Sequence, residues 1–271
     1  MKYAAIVIGA GHAGIEASLA LARAGFETLL LTMRLDAIGQ MSCNPAIGGL
    51  AKGHMVREID ALGGQMALTT DATGIQFRML NRSKGPAVWG PRAQSDKKAY
   101  RLFMTDKIKT QKNLELREAQ ATDILVESGE VLGVRTKQGE ELFSENLIIT
   151  TGTFMQGLIH IGDTNHPGGR RDEAPSVGLS DSLRRLGFNV VRFKTGTPPR
   201  LDARSIHWEI LEPQLGDDPP EPFSFRTGKL ETEQLPCFLT YTNKRTHEII
   251  RKNLHLSPLY AGRIVGVGPR Y

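Results

Sequence analysis

Gly9, Gly11 and Gly14 stand in the spacing G-x-G-x-x-G, between an apolar run that ends at Ile8 and an Ala- and Leu-rich stretch that begins at Ile15. A dinucleotide-binding turn has this form. Gly9 permits the tight strand-to-helix turn, and Gly11 lets the backbone approach a pyrophosphate. Gly14 lets helix and strand pack closely, while the helix N-terminus faces the negative charge. Ala10, His12 and Ala13 complete the turn, and His12 is expected to meet a cofactor through its backbone. A merely tight strand-to-helix turn is the plainer alternative. Cys43 is the second candidate. It lies in a Gly/Pro-rich loop, Gly39 to Gly49, just ahead of an expected helix, where a thiol can act as a nucleophilic thiolate. A small buried hydrophobe is the competing reading of the same residue. Cys237 has apolar neighbours and reads as structural. The remaining histidines (His54, His160, His166, His207, His247, His255) form no metal or triad spacing, and no metal site is expected. Gly48-Gly49-Leu50-Ala51-Lys52-Gly53 lacks the Gly-Lys-Ser/Thr ending of a P-loop.

The elements that must position these residues follow from periodicity. The strand Tyr3 to Ile8, the glycine turn, a helix stopping at Gly25 and a strand Thr28 to Thr32 form a βαβ opening of a doubly wound sheet. The acid expected at the end of the second strand to bind a ribose is missing, since Asp36 comes too late, and Thr32 is the substitute. Helices are predicted over about Leu50 to Leu62, with Met55, Val56, Ile59 and Leu62 on one face, and over about Ser95 to Thr110, with Tyr100, Phe103, Met104 and Ile108 inward. Residues 121–151 read as a small β-meander whose last strand is Leu147 to Thr150. That apolar strand running into Thr150-Thr151-Gly152-Thr153 shifts the cofactor from NAD toward FAD. Polar and Pro-rich sequence from Thr195 to Pro222 marks a domain transition near residue 200.

Composition bounds the classes. The 271 residues are 40% hydrophobic and 23% charged, with 29 Gly and two Cys. That suffices for a sizeable core and excludes a disulfide framework. No apolar run reaches the roughly 18 residues of a membrane span, and the chain opens directly on a strand, so secreted and membrane classes are set aside and a cytoplasmic protein is expected. The net charge is +5, but Arg78 to Lys112 holds ten basic residues against Asp96 and Asp106, a local +8. Such a segment suits a phosphate-bearing partner, and equally a solvated helix face.

Four blocks together resemble one family. Gly9 to Gly14, Met41-Ser42-Cys43-Asn44-Pro45-Ala46-Ile47-Gly48-Gly49, Lys84-Gly85-Pro86-Ala87-Val88 with Arg92-Ala93-Gln94, and Lys194-Thr195-Gly196-Thr197-Pro198-Pro199-Arg200 are similar to the MnmG/GidA family of FAD-dependent tRNA uridine 5-carboxymethylaminomethyl modification enzymes. The resemblance runs from Tyr3 to Tyr271. It implies a glutathione-reductase-like FAD/NAD(P)-binding fold with an inserted second domain, here residues 1–200 and the start of the insertion at 201–271. It further implies a homodimer that works with the tRNA-modification GTPase MnmE on the wobble uridine, with methylenetetrahydrofolate as carbon donor and NADH as reductant. Carried over by position, Gly9 to Gly14, Ala121 and Ser176 contact FAD, Cys43 is catalytic, and Gly268-Pro269-Arg270-Tyr271 opens an NAD-associated segment. Family members are about twice as long and carry a second functional cysteine after that segment, so this chain by itself is not expected to turn over. The alternatives are a folate- and FAD-dependent tRNA uridine-5 methyltransferase and a non-catalytic flavin-containing RNA-binding protein.

Overall fold

The computed structural model describes residues 2–196, 198–264, 266 and 268. After a short strand β1 (Lys2–Tyr3), the opening unit is β2 (Ala5–Ile8), α1 (His12–Arg23) and β3 (Thr28–Thr32). Every residue of β2 and β3 is buried, the continuous apolar pattern of parallel strands covered on both faces. In α1, Ile15, Leu19 and Ala22 recur on one buried face, and Gly25 ends the helix at φ +91°, its N–H donating to the Ala22 carbonyl at 3.1 Å.

The next stretch builds a second sheet. It comprises β4 (Ala46–Gly48), α2 (Lys52–Ala61), α3 (Met66–Thr73), β5 (Gly74–Leu80) and β6 (Gly90–Ser95), with antiparallel order β4-β6-β5. Helix α2 is shorter than predicted, and its inner face differs. Val56 is buried, but Met55 is exposed and Leu62 lies beyond the helix, 91% exposed, while Asp60 turns inward. Helix α4 (Lys97–Thr110) starts two residues later than predicted because Ser95 still belongs to β6. Asp96 caps it, accepting from the N–H groups of Lys98 at 2.8 Å and Ala99 at 3.0 Å. Tyr100, Met104 and Ile108 are its buried stripe.

Strand β7 (Leu114–Glu118) returns to the first sheet, and β8 (Ala121–Glu127), β9 (Glu130–Thr136) and β10 (Glu141–Ser144) form the meander, with β1 on its edge. The meander closes on β10 and not on the expected last strand Leu147 to Thr150. β11 (Leu147–Ile149) leaves the meander and pairs in parallel with β2, Leu147 opposite Ile6 and Ile149 opposite Ile8. The central sheet therefore has the order β11-β2-β3-β7. Val7 and Leu30 face α1 and α4 on one side, while Ile6, Ile8, Leu29 and Leu31 pack on Ile124, Val134 and Leu142 of the meander on the other. This three-layered α/β architecture is the flavoprotein type that the sequence predicts.

A hairpin β12 (Leu158–Ile161) and β13 (Thr164–Pro167) precedes α5 (Leu179–Arg185), and a small pair β14 (Glu212–Gln214) and β15 (Cys237–Leu239) precedes α6 (Lys244–Lys252). The segment between β14 and β15 lies against the second sheet, and Phe223 and Leu230 enter the core that also holds Val7 and Tyr100. Two buried carboxylates hold it there. Asp71 accepts the N–H groups of Phe223 and Ser224 at 2.7 and 2.9 Å; Asp60 accepts from the Ser224 hydroxyl, the Phe225 N–H and Arg226 at 2.6–2.8 Å. Burial pushes the Asp71 carboxyl above the ordinary range. Burial would do the same to Asp60, but Arg226, Ser224 and the Phe225 N–H together hold it below. Among the described residues, no helix is long and apolar enough to cross a membrane.

Candidate functional site

Parallel pairing brings the ends of β2, β3, β7 and β11 to one edge of the central sheet, where ligands bind in open α/β sheets. The glycine turn sits at the end of β2. Gly9 adopts φ +105°, and a Cβ there would meet the Thr150 carbonyl oxygen at 2.4 Å. A Cβ on Gly14 would meet the Gly9 carbonyl oxygen at 1.8 Å and Thr150 Oγ1 at 2.5 Å. Both glycines are thus required by the protein's own packing. Gly11 is different: nothing lies within 4 Å of its Cβ direction, and it caps α1 with no side-chain bond and no acid in the first turn. An open glycine on an uncompensated helix N-terminus fits a pyrophosphate. His12 turns its ring inward against Tyr100, centroids 5.6 Å apart, and burial lowers its pKa, so a neutral imidazole is held inside and its backbone is left to the turn.

Thr150 follows β11. Its N–H donates to the Ile8 carbonyl at 2.8 Å, and its hydroxyl reaches the Ile8 and Gly9 carbonyls at 2.9 and 3.0 Å. The two sequence cues for a dinucleotide, more than 130 residues apart, therefore touch. Ala121 is buried at the start of β8, just after the Ala119 N–H bonds the Thr32 carbonyl at 2.8 Å. Ser176 is buried and exchanges backbone bonds with Phe154 and Gln156, just past Gly152. Thr32 closes a local turn, its hydroxyl donating to the Arg34 carbonyl at 3.1 Å, and Asp36 is paired with Arg34. An acid missed by the sequence reading stands at this edge: Glu118, in register with Thr32, accepts the Leu35 N–H at 2.8 Å.

The Cys43 loop begins beside the turn, where the Gly39 N–H donates to the Ala10 carbonyl at 3.0 Å. Strand β4 separates Cys43 from α2, so the expected position just ahead of that helix is corrected. Cys43 instead lies at the junction of β6 and α4, where Ser95 N–H bonds the Pro45 carbonyl at 2.7 Å. Lys97 Nζ donates to the Cys43 carbonyl at 3.1 Å, and Arg200 donates to the same oxygen. Burial and then the Arg200 charge push the Lys97 ammonium below its usual value. Tyr100, which touches His12, is one turn further along α4, so thiol loop and glycine turn share the start of that helix. The two cations were visible only as members of separate sequence blocks. Gly268 is exposed beside Lys194, whose Nζ lies 2.7 Å from its Cβ direction; Pro269, Arg270 and Tyr271 lie outside the described residues.

Fold and turn together define the class: an α/β dinucleotide-binding protein with its phosphate turn at the carboxyl edge of a parallel sheet backed by a meander. The chain belongs to the family of glucose inhibited division protein A, which it matches over residues 4–271. It is 63% identical over 270 residues to the tRNA uridine 5-carboxymethylaminomethyl modification enzyme MnmG of Geobacter metallireducens, covering 100% of this chain and 43% of that protein. The counterpart from Geobacter sulfurreducens is 62% identical with the same coverage. The structure of Aquifex aeolicus GidA in its form I crystal superposes with a TM-score of 0.93 at 54% identity, over 100% of this chain and 46% of that one. The chain spans less than half the length of the curated relatives it matches.

Proposed function

We propose that this chain is the FAD-binding part of an enzyme that modifies carbon 5 of the wobble uridine in certain tRNAs, adding a carboxymethylaminomethyl or aminomethyl group. The observation that carries this reading is the meeting of the Gly9–Gly14 turn, Thr150 and the Cys43 loop at one sheet edge in a member of this family. In it, the N–H groups at Gly11 to Gly14 hold the FAD pyrophosphate, and Ala121 and Ser176 flank the cofactor where the meander and the segment before α5 approach the same edge. Bound there, FAD supplies redox chemistry, with NADH as reductant and methylenetetrahydrofolate as carbon donor. Cys43 supplies the nucleophile, on a loop whose carbonyl is fixed by Lys97 and Arg200. Gly268 to Tyr271 open the NAD-associated segment, and residues 201–271 begin the inserted domain. The working assembly is a cytoplasmic homodimer with the GTPase MnmE.

The purified native protein is expected to be yellow and its absorbance near 450 nm to bleach when NADH is added without oxygen. Incubation with the folate donor, GTPase and unmodified tRNA should then yield the carboxymethylaminomethyl nucleoside. A 5-methyluridine product would favour the methyltransferase alternative, and a flavin unmoved by NADH would favour a non-catalytic RNA-binding role.

A further inference from the structure

Arg78 of β5 and Arg92 of β6 are direct cross-strand partners, so their side chains share one face of the second sheet. Their neighbours Phe77 and Ala93 point into the core, which sets the arginines on the outer face. Both line one cleft with Gln76, Leu80, Gln94 and Gln214. Like charges placed opposite each other are destabilising, and the usual remedy is a shared carboxylate. Among the described residues neither guanidinium has one, and Arg78 Nε is buried without a partner. Both arginines also border a second hollow with Asp217 and Glu221, but those acids are engaged elsewhere: Asp217 accepts from the Met79 N–H at 2.6 Å and from Arg82 at 3.1 Å, and Glu221 pairs with Arg82 at 3.0 Å. The far wall is fixed. Gln76 donates to the Gln214 carbonyl at 2.8 Å, and the Cys237 thiol, donating to Gln76 Oε1 at 3.2 Å, orients it.

Other cations of the Arg78–Lys112 stretch are committed to the fold. Lys97 holds the Cys43 carbonyl, Arg101 bonds the Asp36 carbonyl, and Lys107 lies over the Phe103 ring at 5.1 Å. Two planar guanidinium forks lining one polar, half-buried cleft without a carboxylate match a phosphate group. Lys84 and Lys98 of the same sequence stretch are exposed, and a polyanion such as a nucleic-acid backbone carries the phosphate that the two arginines would take. We propose that Arg78 and Arg92 together seat one backbone phosphate of an RNA substrate. This rests on the reading of the chain as part of a tRNA-modifying enzyme.

The test measures affinity of the native protein for an unmodified tRNA transcript across a potassium chloride series, with wild type, Arg78→Gln, Arg92→Gln and the double variant. Each single variant should bind several-fold more weakly. The double variant should lose about one unit of salt slope, the loss of one phosphate contact rather than two. Its thermal midpoint should be unchanged or higher, because opposed like charges have been removed. Arg78→Lys should keep the slope and lose part of the affinity. A wild-type protein that binds tRNA beside a double variant of equal affinity and slope would overturn the phosphate seat and leave the enzyme reading standing. A midpoint lowered along with affinity would overturn the seat too, by showing a structural role. A wild-type protein that does not bind tRNA would overturn both.

Discussion

A Gly14→Ala variant should purify without flavin and unfold several degrees below the wild type. The added methyl would stand 1.8 Å from the Gly9 carbonyl oxygen and 2.5 Å from Thr150 Oγ1, atoms fixed in the sheet. Relief requires α1 to move off β2 and β11, and overpacking of this kind costs about 1–3 kcal/mol. For a chain of this size each kcal/mol lowers the midpoint by roughly 2–4 °C. Gly11→Ala separates packing from ligand binding. Gly11 has φ −77°, ordinary for alanine, and no atom lies within 4 Å of the new methyl. That variant should melt within about 0.5 kcal/mol of wild type yet lose at least tenfold in flavin affinity, because its methyl faces the place where a pyrophosphate must approach. Flavin titration and thermal melts on both variants check this. Gly11→Ala with wild-type flavin affinity would put the phosphates elsewhere.

A Cys43→Ser variant should keep its flavin and its bleaching by NADH while tRNA modification falls on the order of a thousandfold or more, the scale of losing a nucleophile. The loop is held through its backbone, by Lys97 and Arg200 on the Cys43 carbonyl and by Ser95 on the Pro45 carbonyl. Exchanging sulfur for oxygen leaves those bonds in place, so a loss of product with flavin retained reports chemistry rather than unfolding. Product formed at the wild-type rate would show the thiol to be structural.

What could be read from the sequence was local. The glycine turn, α1 and the buried strands β2 and β3 follow from apolar runs and glycine spacing within thirty residues. α4 was legible because Tyr100, Met104 and Ile108 repeat at helical spacing. Leu147 to Ile149 reads as part of the meander because three apolar residues carry no sign of their partner. Only their register against Ile6 to Ile8, some 140 positions away, sets it. Asp60 and Asp71 carry no signal of their role in the sequence for the same reason. A carboxylate on a helix reads as solvated until Ser224 and Phe225 arrive to donate to it. In the site, Gly9 and Gly14 are legible because the positive φ of Gly9 and the closeness of Gly14 to the Gly9 carbonyl are local, while the contacts of both with Thr150 are not. The Lys97–Arg200 pair on the Cys43 carbonyl was not, since it joins positions more than a hundred residues apart.

The most direct measurement is the nucleoside composition of tRNA from cells in which the gene for this chain has been deleted, taken by mass spectrometry. The carboxymethylaminomethyl or aminomethyl group on wobble uridine should disappear, return with the wild-type gene and fail to return with Cys43→Ser. Unchanged wobble uridines after deletion, or loss of 5-methyluridine in their place, would contradict the assignment of this chain to wobble-uridine modification.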